Sequence, residues 1–314
     1  MKDYTLKYGK GNVTFALDEA HVTELYGTPV PKIDDIRAAL YATLSSPVSH
    51  EPLESWVNPE DKVALIVSDM SRFWMRQDLV VPHIISYLTD KCDVNQNNIT
   101  IIIANGTHPG GDENELRTLV TDGVYDRIRV VNHDCQAKDL VYIGTTSLGT
   151  EVRINPIAAN ADKVIMLGVC TYHVMAGYGG GRKSILPGIS GLETIRQNHL
   201  HSLDLLAPRS NPLIGNGVTD GNPLNEDMCQ AAAMVKNLFG INLVTNADMQ
   251  LAHIISGDPM KAWQLACHRV DEIYRVPIVK KADVIITSCG GYPKDMSLYQ
   301  GTKIIDNVES GLNA

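Results

Sequence analysis

Residues 62–72 read KVALIVSDMSR, and the way that stretch is read decides the fold. Val63, Ala64, Leu65, Ile66 and Val67 form an unbroken apolar run, shorter than a helix needs and without the alternation of a half-exposed strand. Such a run belongs to a strand covered on both faces, as parallel strands are. The same design recurs in ITIIIAN (99–105), RIRVVN (127–132), KVIMLGV (163–169), INLVTN (241–246) and DVIITS (283–288). Amphipathic stretches lie between several of these runs: DDIRAALYATL (34–44), DENELRTLV (112–120), NPLNEDMCQAAAMVKNLF (222–239) and DPMKAWQLACHRVDEIY (258–274). Covered strands alternating with amphipathic helices imply an α/β fold with a mainly parallel, Rossmann-like sheet.

The boundary signal falls at RVPIVKKADVIITS (275–288), where Pro277 follows the long helical pattern and a new strand pattern begins. The expected division is a cofactor-binding and catalytic domain over 1–275, then the start of a second α/β domain over 276–314 that is only begun in this chain. The chain has 314 residues, 44% of them hydrophobic, and a formal net charge of −9. With a sequence pI near 5.5, the balance argues against a nucleic-acid surface and leaves room for one local anion site. The six cysteines are scattered without a C-x-x-C spacing, the pattern of reduced, mostly buried thiols in a cytoplasmic protein. No apolar run approaches the length of a membrane span, so a soluble protein is expected.

Each early strand runs directly into polar side chains. Asp69, Met70, Ser71 and Arg72 follow the first, Gly106-Thr107-His108 the second, His133-Asp134 the third, and Thr171-Tyr172-His173 the fourth. In open α/β sheets ligands bind outside the carboxyl ends of the strands, so Asp69, Arg72, His108 and His173 are expected to line one pocket. No acidic residue neighbours His108 in sequence to orient it. His133 and Asp134 are adjacent, and neighbours on a strand point apart, so a structural role is expected there. His199 and His201, two residues apart, do not share a helix face and form no metal clamp.

The segment HVMAGYGGGRKSILPGISGLETIRQNH (173–199) sets three glycines beside Arg182 and Lys183. Read alone, it is either a mobile surface loop with an exposed basic pair or a backbone kept bare for close approach. It is a poor phosphate loop: counting from Gly177, Arg182 stands at the second glycine, and Pro187-Gly188 would interrupt the helix that should follow. A G-x-G-x-x-G fingerprint is missing near the first strand. Ser190-Gly191-Leu192-Glu193 has the spacing of a capping box and would start a helix carrying His199.

Taken together, SDMSR, NGTH, the 173–199 segment and GGYPKDMSLYQGTK (290–303) resemble the nickel-dependent lactate racemase family, in order and from about residue 60 to 303. That resemblance implies a nickel pincer nucleotide, a pyridinium mononucleotide with two thiocarboxyl arms, joined covalently to Lys183. It implies His199 as the protein ligand to nickel, a metal that accepts imidazole and soft sulfur together. His108 and His173 would be the acid/base pair on opposite faces of the substrate carbon. Asp69, Met70, Ser71 and Arg72 would contact the cofactor, with Arg72 also near the substrate carboxylate. Tyr299, Gln300 and Lys303 would hold that carboxylate from the second domain. The glycines at 179–181 would then let the flat cofactor lie close to Lys183.

The implied activity is racemisation or epimerisation of a small 2-hydroxy acid, with the C2 hydride moving to the cofactor ring and back. Histidine suits proton transfer at both faces because it titrates close to working pH. The implied partners are the substrate and the enzymes that build the cofactor, with neither nucleic acid nor membrane. The chain departs from the family pattern at Phe73-Trp74, at Gly179, and in ending soon after Lys303. Two other functions fit the residues alone: a metal-dependent hydrolase using His108, His173 and His199, and a non-catalytic nickel-cofactor-binding protein.

Overall fold

The computed structural model describes residues 1–292, 295, 298–301, 303–308 and 311–312, with the side chains of 299, 300, 303, 306 and 307 outside the description. The described residues fall into two compact units, one of residues 29–273 and one of residues 1–28 with 274–314. The larger unit holds a six-stranded sheet. Its strands are β3 (Val63–Ser68), β4 (Ile99–Ala104), β5 (Arg129–Asn132), β8 (Lys163–Val169), β11 (Leu238–Thr245) and β12 (Leu251–Gly257), in the order β12-β11-β8-β3-β4-β5. All neighbours are parallel except β11 and β12. This is the mainly parallel α/β architecture that the apolar runs imply.

Alternation along the strands explains how both faces are covered. Leu65, Val67, Ile101, Ile103, Ile165 and Leu167 point into one core, shared with α1 (Ile36–Ser45), α2 (Leu53–Trp56), α3 (Val81–Asp90), α4 (Glu113–Val120) and α5 (Asp122–Tyr125). Ala64, Ile66, Ile102, Val164 and Met166 point into the other. That core is filled by hairpin β6 (Val141–Thr145) and β7 (Glu151–Ile154) and by α6 (Pro156–Ala159), α7 (Leu192–Leu200) and α8 (Pro223–Ala233). Burying a side chain such as Leu65 or Ile66 contributes about 1.5–3 kcal/mol, so the sheet is the rigid frame and the loops at its edge are free to carry chemistry. Helix starts are fixed locally: Asp35 accepts the Ala38 N–H at α1, and Asp112 accepts the Glu115 N–H at α4. The last long helix, α9 (Pro259–Tyr274), buries Ala262, Trp263, Ala266, Cys267 and Val270.

The chain runs β3 to β4 to β5 on one side, then returns to lay β8 on the other side of β3. The crevice between β3 and β8 is therefore a topological switch point, where an α/β sheet offers its binding site. A two-residue-stranded hairpin, β9 (Tyr172–His173) with β10 (Gly177–Tyr178), projects just past the end of β8.

The smaller unit is built on the hairpin β1 (Lys2–Tyr8) and β2 (Gly11–Leu17). Residues from the C-terminal segment join it: the Tyr292 N–H donates to Gly9 O at 2.7 Å, and the Gly9 N–H donates to Asp295 at 2.7 Å. This division differs from the sequence-based one, 1–275 and 276–314, in placing residues 1–28 with the C-terminal segment. DVIITS (283–288) also differs from expectation. Among the described residues it forms no strand, its Val284 and Ile286 are exposed, and a bridge pairs Ala282 with Leu312. Helices α10 (Leu298–Gly301) and α11 (Lys303–Val308) follow. Among the described residues no helix is long and apolar enough to cross a membrane. All six cysteines are free, and Cys92, Cys135, Cys170 and Cys267 are buried.

Candidate active site

The loops leaving β3 and β4 build the first half of the site. The parallel register sets Ser68 beside Ala104, so the residues just beyond them meet although far apart in sequence. Asp69, buried, takes His108 Nδ1 on its Oδ2 at 2.5 Å and the Ser71 hydroxyl on its Oδ1 at 2.6 Å. Burial alone would raise the Asp69 carboxyl; the bonds from His108 and Ser71 outweigh it and hold the group below its usual range. Asp69 is thus the acid that orients His108, which the sequence around His108 did not reveal. Arg72 extends the chain of contacts, its Nη1 donating to Ser71 Oγ at 3.0 Å. Met70 is half-buried and packs against the hydrophobic core with Phe73 and Trp74. Gln77 pins the end of β3, accepting the Ser68 N–H and donating to Ser68 O.

The loop leaving β8 builds the second half. His173 sits on β9, and its Nδ1 accepts the N–H groups of Met175 and Ala176, both at 3.2 Å. Its Nε2 lies 3.1 Å from Lys183 Nζ. Lys183 belongs to a short 3-10 turn, Gly181–Ser184. His199 lies on α7, donating from Nδ1 to Ile195 O at 2.9 Å, which leaves Nε2 as its lone pair. Burial first, and the neighbouring Lys183 second, lower the His199 pKa and keep the ring neutral. The two halves touch, since the Gly106 N–H donates to Gly188 O at 2.9 Å.

The glycine run is ordered by its own protein. A side chain at Gly179 or Gly180 would begin 3.0 Å from Val169 O, and one at Gly181 would begin 2.8 Å from the Trp263 ring. Gly180 and Gly181 also have left-handed backbone, at φ +71 and φ +49. Packing onto β8 and α9 therefore already requires bare backbone at these three positions. Arg182 is fully buried rather than half of an exposed basic pair. Its guanidinium donates to Ala176 O, Tyr178 O and Asn225 Oδ1, and stacks 3.7 Å from the centre of the Trp263 ring.

Other residues that the sequence reading passed over also hold this half. Asn242 on β11 accepts the Gly181 N–H, and Trp263 donates to Gly179 O. Asp271 on α9 accepts both the Tyr172 hydroxyl, at 2.7 Å, and the Tyr178 hydroxyl, at 2.6 Å. Buried Asp227 accepts Thr146, Thr150 and Asn198, fixing α7 next to His199. The available signal was polar residues on the buried side of an amphipathic helix, as with Asn225 and Asp227 on α8.

The capping box does not form. α7 begins where expected, but Gly191 is its N-cap, and the Ser190 hydroxyl donates to Ile185 O instead. His133 is structural, as its sequence neighbours suggested: it is buried, with Nε2 at 2.9 Å from Ser190 O. The side chains of Tyr299, Gln300 and Lys303 lie outside the described residues. An open cleft of about 590 Å³, lined by Ser86, Asp90, Asn97 and Arg127, lies at the amino edge of the sheet, away from these groups.

A carboxylate–histidine pair on the loops that leave β3 and β4, and a lysine–histidine pair on the segment that follows β8, lie beyond the carboxyl ends of strands that flank a switch point, where α/β enzymes place their chemistry. The chain belongs to the lactate racemase family: the profile described as "Lactate racemase N-terminal domain" matches residues 8–209. It is accordingly an isomerase of the racemase kind. It is 29% identical over 312 residues to a lactate racemase of Thermoanaerobacterium thermosaccharolyticum, covering 96% of this chain and 70% of that protein. To the lactate racemase of Lactiplantibacillus plantarum it is 28% identical over 310 residues, covering 97% and 71%. Its fold matches the lactate racemase apoprotein structure from T. thermosaccharolyticum with a TM-score of 0.89 at 27% identity, covering 99% of this chain and 72% of that one. A Thermotoga maritima protein shares the fold alone, with a TM-score of 0.59 at 19% identity over 80% of this chain and 61% of that one.

Proposed function

We propose that this protein interconverts the two hands of a small 2-hydroxy acid such as lactate, using a nickel pincer nucleotide attached to Lys183. The observation that carries the reading is the donor set around Lys183. Among the described residues no three His, Cys, Asp or Glu side chains come together to hold a metal ion. A metal held by side chains alone, as in a hydrolase using His108, His173 and His199, therefore has no ligand shell here. A metal carried by a bound organic group would need fewer ligands from the protein. His199 suits the role of such a ligand, being neutral, with its Nδ1–H tied to Ile195 O and its Nε2 lone pair left over.

When bound, the group supplies a place to store the C2 hydride and return it. The chain's own residues do the rest. Asp69 keeps the proton of neutral His108 on Nδ1, so Nε2 is the base that takes the substrate hydroxyl proton, and the carboxylate stabilises the imidazolium that forms. His173 presents Nε2 from the β8 half as the second proton-transfer group. Arg72, held through Ser71, binds the substrate carboxylate. Tyr299, Gln300 and Lys303 join the substrate set by the family pattern alone. The protein is proposed to work in the cytoplasm, loaded by the enzymes that make the cofactor.

Racemisation of lactate in heavy water tests this reading. A C2 hydrogen that never becomes a solvent-exchangeable proton leaves C2 largely unlabelled, and C2-deuterated substrate reacts more slowly and keeps its label. Solvent deuterium entering C2 in step with racemisation would overturn it.

A further inference from the structure

We propose that Asp271 is a positioning residue for His173, acting through the paired tyrosines Tyr172 and Tyr178. The inference rests on the reading of His173 as a proton-transfer group. It starts from the smallness of β9 and β10, which pair through only two residue partners, His173 with Gly177 and Tyr172 with Tyr178. So short a ladder does not hold its own geometry. Side chains alternate across a strand, so Tyr172 and Tyr178 share one face of the hairpin and His173 takes the other.

The tyrosine face is the anchored one. Both hydroxyls donate to the same oxygen of Asp271, at 2.7 and 2.6 Å, and the rings lie 5.4 Å apart. Burial first, and the bond to Asp271 second, raise the Tyr178 phenol well above its ordinary value, so it remains a donor across the working pH range. Asp271 lies two helical turns beyond Trp263 on α9, and Trp263 bonds Gly179 and stacks on Arg182. One face of α9 therefore fixes both the hairpin that carries His173 and the loop that carries Lys183. With the hairpin clamped on its tyrosine face, its other face carries His173, whose Nε2 lies 3.1 Å from Lys183 Nζ. The effect of Asp271 on His173 passes through the tyrosines.

The test compares Asp271→Leu, Asp271→Asn and the double variant Tyr172→Phe/Tyr178→Phe. The unloaded proteins are treated with diethyl pyrocarbonate, and the modification rate of each histidine is read by peptide mass. In Asp271→Leu the His173 rate rises at least about tenfold, the scale of losing hydrogen bonds to a charged acceptor, while the His108 rate is unchanged. Asp271→Asn, which keeps an acceptor oxygen for both hydroxyls, restores most of the protection. In cofactor-loaded protein Asp271→Leu lowers kcat by about 10²-fold, the cost of a misplaced catalytic group, with KM near the native value. Should Asp271→Leu fail to fold, the double phenylalanine variant keeps both rings and decides the matter. A native His173 rate in a folded Asp271→Leu or double variant overturns the proposal. A parent protein that does not racemise defeats the functional reading instead, and the His173 rates still decide the role of Asp271.

Discussion

The two flanks of the switch point hold their histidines by different means. On the β4 flank His108 is 52% exposed and is oriented by one side chain, the Asp69 carboxylate. On the β8 flank His173 is half-buried, and main-chain N–H groups fix its Nδ1. The side-chain partner of His108 can be exchanged by one substitution without moving the backbone, whereas the main-chain partners of His173 change only if the β9–β10 hairpin itself moves, as loss of its Asp271 anchor would make it do. The β4 flank is therefore where the chemistry can be tuned, and the β8 flank is where it is anchored.

The largest effect belongs to the anchored flank. Lys183→Ala removes the amine, so protein from a host that makes the cofactor carries no added mass and its turnover falls to background, while the fold is retained. An adduct of unchanged mass in that variant breaks the contrast between the flanks.

Next comes the tunable flank. Asp69→Asn keeps the shape but turns an acceptor into a possible donor at His108 Nδ1, so the wrong tautomer is favoured. Turnover drops by roughly 10²–10⁴-fold, the worth of a general base, while the Lys183 adduct forms normally. Steady-state rates set beside intact mass separate the two outcomes, and full activity would remove Asp69 from its orienting role.

A smaller change is expected at Arg72. Lysine keeps the charge but loses the planar fork, so Arg72→Lys raises KM by about tenfold, the loss of roughly one good bidentate contact. Unchanged kinetics would place the carboxylate elsewhere.

The smallest effect is on stability against pH. His133 and His199 both have pKa values lowered by burial from the ordinary 6.5, so the unfolded chain binds protons that the native protein does not. Their contribution is complete above that value and is lost as pH falls below it. Thermal melts of unloaded protein should be level above neutrality and decline below about pH 6.5. His199→Gln should lessen the decline, and an undiminished slope in that variant would exclude His199 as a contributor.

The central sheet was legible because a strand buried on both faces leaves a local mark, five apolar residues in a row at 63–67. DVIITS has the same composition without the burial, which no local pattern reports. The hairpin at 2–17 was legible in principle, with Tyr4 and Leu6 alternating against Val13 and Phe15 around Gly9 and Gly11, but the alternation was not read. The site was legible as a set of strand tips and not as a set of contacts. Asp69 and His108 are 39 residues apart and meet only through the pairing of β3 with β4. Ser190 had the spacing of a cap, yet a nearby carbonyl, Ile185 O, took its hydroxyl. Arg182 reads as a surface cation in sequence, because the carbonyls that solvate it belong to the backbone of every residue type.

The buried Arg182 also bears on motion. Its acceptors come from the β9–β10 hairpin and from α8, and its ring partner comes from α9. No part of the glycine loop can open without stripping a guanidinium of its bonds inside the protein, a far larger cost than fraying an ordinary loop. Three glycines in a row suggest a fluttering lid, but here they form a latch that releases only when the surrounding helices do. The amides of Gly181, Ile185 and Leu186 should accordingly exchange with solvent as slowly as those of α8, on the timescale of the domain's own unfolding.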